Sequence, residues 1–106
     1  MQALVKYGRK NGDVEIRDVA EPAKIGADQV LLEVKAAGVC GSDIHMWREH
    51  HSWAIKLPLV LGHEFGGLVA DVGANISGFK PGDRVVCETA AQVCGQCVYC
   101  LSGNYN

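Results

Sequence analysis

Three cysteines at intervals of three, in the run Cys94-Gly95-Gln96-Cys97-Val98-Tyr99-Cys100, constrain this chain more than any other feature. A C-x2-C turn lets two sulfurs converge on one cation, and zinc takes thiolates tetrahedrally at about 2.3 Å. Three such ligands leave one corner to fill, and no further Cys or His follows before Asn106. The iron–sulfur pattern opens with the same spacing but then needs a cysteine after three more residues, followed by proline. Asn104 and Tyr105 stand at those positions. Zinc is therefore the expected ion, and the chain is expected to stop inside the motif. The remaining cysteines, Cys40 and Cys87, lie well upstream, which makes an odd total of five. Met1 to Lys10 holds neither the apolar core nor the cleavage site of an export signal. An odd count in that setting points to metal or thiolate chemistry rather than a disulfide framework.

With 106 residues, the chain has room for one small domain whose modest core would gain from a metal staple. A net charge of −2 argues against a nucleic-acid partner, which calls for a basic excess. No apolar run approaches the ~20 residues that span a bilayer, so a membrane role is not expected.

Short β-strands separated by turn signals dominate the chain. Ala3, Val5 and Tyr7 alternate with polar residues, Asn11-Gly12 offers a hairpin turn, and Val14 and Ile16 resume the alternation. Val30 to Lys35 reads as a third strand. After the turn Gly38 to Asp43, where Ser42 or Asp43 could cap a helix, Ile44 to Arg48 can form one short turn of helix. Arg48 to Lys56 reads as an exposed loop. A longer strand follows from Phe65 to Val72, with Gly66, Gly67 and Gly73 marking close backbone packing or bulges. Lys80-Pro81-Gly82-Asp83 suits a type II turn, and Arg84 to Glu88 a last short strand. The pattern predicts a small barrel or sandwich with little helix. A strand–GxGxxG–helix unit is absent, so no dinucleotide fold is expected within these residues.

A second metal constellation is weaker by spacing alone. Cys40 lies in a glycine-flanked turn and Gly62-His63-Glu64 precedes a strand. Cys, His and a carboxylate all ligate zinc, and an incomplete set is the mark of a catalytic site with an open position. Ser42 and His45 stand close by in sequence, and a hydroxyl backed by an imidazole is what a proton-release path needs.

These residues carry a resemblance. Gly62-His63-Glu64-Phe65-Gly66-Gly67, with Gly73 and Ile76 beyond it, is similar to the zinc signature of medium-chain alcohol and polyol dehydrogenases. The run Ala37 to His45 resembles their first zinc-ligand turn, and Phe79 to Val85 and the Cys94–Cys100 lobe match in the same order. The resemblance implies a mainly β, GroES-like, partly open barrel with short helices and a cysteine-rich zinc lobe. It spans 1–106 as the N-terminal catalytic domain, cut within the lobe at about 93–106, without the Rossmann cofactor domain. It also implies that Cys40 and His63 bind a catalytic zinc, with Glu64 as ligand or alternative ligand. Ser42 would accept the substrate proton and His45 pass it on. Cys94, Cys97 and Cys100 would bind a structural zinc whose fourth cysteine falls just past Asn106.

The implied reaction moves hydride between a secondary alcohol or polyol and NAD or NADP, which the missing domain would mainly bind. The form Cys40-Gly41-Ser42-Asp43-Ile44-His45 is closer to the sorbitol, polyol and threonine branches, and Ser42 in place of Thr tilts it toward polyols. A homodimer or homotetramer in the cytoplasm is expected of the full-length enzyme, and no activity of these 106 residues alone. The alternative is a non-catalytic GroES-like zinc-binding module, which would have no use for a second, open metal site.

Blander roles are expected elsewhere. Cys87 ends an apolar run and reads as a buried small hydrophobe. His50 and His51 read as exposed loop residues, Trp47 and Trp53 as aromatics covering the core, and Asp43 as a helix cap.

Overall fold

The alternation at the amino end becomes β1 (Gln2–Lys6), paired antiparallel with β2 (Val14–Asp18) in the register Leu4↔Ile16 and Val5↔Glu15. This computed structural model describes residues 1–89 and 93–104. The connection between the two strands is wider than the two-residue turn that Asn11-Gly12 suggests. It closes through the Tyr7 N–H donating to Asp13 O at 3.1 Å, and only Gly12, at φ +83°, adopts the left-handed conformation. On its other edge β1 pairs with β4 (Leu59–Val60), giving a sheet of order β2-β1-β4.

The second sheet, of order β3-β5-β6, is built from β3 (Val30–Ala37), β5 (Phe65–Val72) and β6 (Arg84–Val86). Its register slips between Leu31 and Leu32, where β5 carries the extra residue Ala70, and again between Val34 and Ala36, where β3 carries the extra residue Lys35. Gly67 follows from the close approach of β3 and β5, since a Cβ there would sit 2.1 Å from Glu33 O; just past β5, a Cβ on Gly73 would sit 2.3 Å from Gly26 O in the segment before β3. The turn before β6 is the expected type II, with the Asp83 N–H donating to Lys80 O at 3.1 Å and Gly82 at φ +93°. Two open sheets with short helices make the chain mainly β, as its strand pattern predicts.

Two helices complete the described elements. α1 (Gly41–Trp47) begins three residues earlier than expected, because Cys40 is the N-cap rather than Ser42 or Asp43. α2 (Val98–Leu101), which the cysteine spacing does not announce, lies inside the cysteine lobe. Tyr105 and Asn106, the last residues of the expected lobe 93–106, lie outside the described residues.

Among the described residues the buried apolar core is small: Val5, Met46 and Val69. Many larger side chains stay partly open, and an apolar groove is lined by Val30, Leu32, Phe79, Val85, Val86 and Cys87. Lys6, a polar position of the β1 alternation, has 0% of its surface exposed. It is accommodated because Glu49, just past α1, brings Oε2 to 2.7 Å from its ammonium. No helix among the described residues is long and apolar enough to cross a membrane.

Candidate metal centres

The amino end of α1 and the start of β5 bring Cys40, His63 and Glu64 together, with one ligand atom from each lying within 4.8 Å of the others. Cys40 is held by its own helix. Its N–H donates to Asp43 Oδ2 at 2.9 Å, the reciprocal bond of a capping box. His63 is held from two sides: Nε2 lies 3.1 Å from Ser42 Oγ, and Nδ1 lies 3.5 Å from Asp43 Oδ1. Glu64 is placed by the β3–β5 ladder, which continues past Ala37 through the Gly38 N–H donating to Glu64 O at 2.7 Å. Its carboxylate turns into space that a side chain at Gly38 would contest, a Cβ there falling 3.1 Å from Glu64 Oε2.

The electrostatics favour a charged sulfur. The Ser42 backbone N–H, then the Ser42 hydroxyl and His63, hold the Cys40 thiol below its ordinary value. The same thiolate, with help from the Asp43 charge, raises His63 above its own. A thiolate, an imidazole and a carboxylate on one spot form a donor set that suits zinc, with room for one further ligand. Ser42 lies beside the ring, and His45 is one turn along the helix with its side chain in solvent.

The cysteine lobe fits a cation even more closely. Cys100 Sγ lies 3.7 Å from Cys94 Sγ and 3.5 Å from Cys97 Sγ. Sulfurs at about 2.3 Å from a tetrahedral zinc are separated by about 3.8 Å, so these distances are close to edges of such a tetrahedron. The Gln96 and Cys97 backbone N–H groups point at Cys94 and lower its thiol to about 7.

Of the eight residues read as site candidates, Cys40, His63 and Glu64 cluster, Ser42 and His45 lie on the adjoining helix, and Cys94, Cys97 and Cys100 form a second group. Cys87 joins neither group and lines the apolar groove instead. Asp43 does more than the expected capping, since its other oxygen faces His63. The 48–56 loop is not uniformly exposed. The His51 side chain is only 4% exposed, packed against Glu49 and Trp53. Trp47 and Trp53, by contrast, are more open than core-covering aromatics would be.

A profile of the alcohol dehydrogenase GroES-like domain matches residues 26–106. The chain belongs to the alcohol dehydrogenase GroES-like domain family. Within it, a sorbitol dehydrogenase of Halalkalibacterium halodurans is 44% identical over 106 residues, covering 100% of this chain and 30% of the relative. An L-threonine 3-dehydrogenase of Caldanaerobacter subterraneus subsp. tengcongensis is 42% identical over 98% of this chain and 30% of its own length. A solved NAD-dependent alcohol dehydrogenase superposes with a TM-score of 0.86 at 34% identity, over 100% of this chain and 31% of that one. This GroES-like chain therefore spans about 30% of the length of the relatives it matches.

Proposed function

We propose that residues 1–106 are the catalytic domain of a zinc-dependent dehydrogenase acting on a secondary alcohol or polyol, with NAD or NADP bound mainly by a separate Rossmann domain. The observation that carries this reading is the convergence of Cys40, His63 and Glu64 beside the Ser42 hydroxyl. A structural support with no chemistry to perform would need only the Cys94, Cys97 and Cys100 lobe.

In this reading Cys40 and His63 hold the catalytic zinc, with Glu64 as third or alternative ligand, and Cys94, Cys97 and Cys100 hold the structural one. Bound there, zinc would supply Lewis acidity to a substrate hydroxyl, and a nicotinamide held by the separate domain would supply the hydride chemistry. The protein's own share is orientation and proton movement. The Asp43 carboxylate faces Nδ1 of the His63 ring, which favours Nε2 as the atom offered to the cation. Ser42, released from Nε2, would then bond the substrate hydroxyl and accept its proton while giving up its own hydroxyl proton toward His45. His45, on the solvent side of α1, returns that proton to water.

The substrate class is drawn from the sorbitol and threonine dehydrogenase relatives, and Ser42 inclines it toward polyols. The full-length enzyme is proposed to work in the cytoplasm as a homodimer or homotetramer. The test is steady-state turnover of sorbitol, L-threonine and simple secondary alcohols by the full-length enzyme with NAD or NADP. Ser42→Ala should lower kcat at least ~100-fold at unchanged metal content, the size of a lost general acid–base group. Full activity in that variant, or none of the parent with any alcohol, would refute the proposal.

A further inference from the structure

The last turn of α1 closes in a Schellman arrangement, with the Glu49 N–H donating to Met46 O at 3.2 Å and the His50 N–H to His45 O at 2.8 Å. The residue between those two bonds must be left-handed, and glycine ordinarily occupies it because a Cβ there crowds the following carbonyl. Here it is Glu49, at φ +55° the one non-glycine residue among those described with a positive φ. Backbone geometry alone would choose otherwise, so its side chain must supply the reason.

That side chain meets three charged or titratable partners. Oε2 meets the ammonium of the fully buried Lys6 on β1 at 2.7 Å, and Oε1 lies 3.4 Å from Arg9 Nη1 in the β1–β2 connection. His51 Nε2 stands 3.7 Å from Oε1, and Arg9 reaches past Glu49 to donate to Ile55 O at 3.1 Å. A seven-residue helix has too few internal bonds to hold its own orientation. The amino end of α1 is capped through Asp43 and Cys40 and faces His63; the other end is tied by Glu49 and by the Gly12 N–H donating to Trp47 O at 2.9 Å.

We infer that Glu49 is a positioning residue: its carboxylate, drawn onto buried Lys6, fixes the carboxyl end of α1 and with it the place of His45 relative to Ser42 and Cys40. Glycine at 49 would relax the backbone yet leave a buried ammonium without a counter-charge. The functional meaning of the clamp rests on the proton-relay role proposed for His45; the clamp itself does not.

The test compares the parent chain with Glu49→Gly and with Lys6→Met/Glu49→Gly, the second removing both the strain and the orphaned charge so that folding is preserved. Amide exchange and the His45 imidazole resonances are followed by NMR, and Co²⁺ is titrated at Cys40 and His63. The expected result in both variants is His50 amide exchange at least ~100-fold faster, as for a freed helix end. The His45 signals should shift while the β3–β5 amides and the Co²⁺ affinity hold, a split that general destabilisation would not produce. Parent-like His50 protection and His45 signals in the double variant would overturn the inference. A parent that binds no Co²⁺ at Cys40 and His63 would sink the proposed function instead, and the exchange comparison would still decide the clamp.

Discussion

Asp43 Oδ1 lies 3.5 Å from His63 Nδ1, while Oδ2 of the same carboxylate accepts the Cys40 N–H at 2.9 Å. One buried side chain thus orients both halves of a pair delivered by a helix and a strand distant in sequence. Its Oδ1 has no hydrogen-bond partner. An unpaired buried carboxylate oxygen is costly, and a protonated Nδ1 is the donor in place to satisfy it. His63 then keeps Nε2 for a cation.

Asp43→Asn should lower the affinity of Cys40 and His63 for zinc by about 10–100-fold, the usual effect of losing a carboxylate behind a ligating histidine. The amide can still accept the Cys40 N–H, so the helix start should survive. Competition against a chromophoric chelator reads the change. An affinity equal to the parent's would mean that Asp43 only caps α1.

Acid should expose the Lys6–Glu49 pair. The Lys6 ammonium holds the Glu49 carboxyl below its ordinary value of 4.5. A group lowered in the folded state contributes stability that is complete above its unfolded value and is lost as pH falls through the folded one. Glu49→Gln should therefore unfold more easily at neutral pH, because it leaves the buried Lys6 ammonium without its counter-charge. It should also lose less stability than the parent as the pH drops below 4.5. Urea midpoints at neutral pH and in acid decide this, and parallel losses in the two proteins would rule the pair out as the cause.

Cys94 should be the most reactive thiol of the metal-stripped lobe. Its thiol is lowered to about 7 and its side chain is exposed, so its thiolate is both abundant and accessible near neutrality. Iodoacetamide labelling followed by peptide mass mapping should find Cys94 modified first, with its rate half-maximal near pH 7. Prior addition of zinc should suppress the labelling. Fast labelling at Cys94 with zinc bound would show that the lobe does not use this sulfur as a ligand.

Gly67→Ala tests the β3–β5 contact. The new Cβ would meet Glu33 O at 2.1 Å, and backbone on both sides must shift to admit it. Overpacking of this kind costs about 1–3 kcal/mol or more, readable as a lower thermal midpoint. An unchanged midpoint would mean that β3 and β5 do not pack backbone to backbone at Gly67.

Much of this arrangement was legible in the chain. Gly66, Gly67 and Gly73 announced the close strand contacts, and Pro81-Gly82 the type II turn. The cysteine spacing announced one metal group, and the residues around Cys40 and His63 the other. Three features were not legible, each for a physical reason. Lys6 reads as a surface position because alternation reports one sheet face and says nothing of a helix end packed over the other. Glu49 was hidden because left-handed backbone is signalled by glycine, and here a charged side chain overrides that preference. Asp43 reads as a cap, and it is one, yet its second oxygen meets a ring that only the tertiary fold brings near.

The most direct measurement is the metal content of the zinc-reconstituted chain against that of its Cys40→Ser/His63→Ala variant, with cobalt substitution to reveal thiolate ligation. Two equivalents are expected in the parent, one lost in the variant together with its share of thiolate-to-cobalt absorption, while the Cys94, Cys97 and Cys100 group keeps the other. A parent holding a single ion, or a variant that retains both, would contradict this expectation.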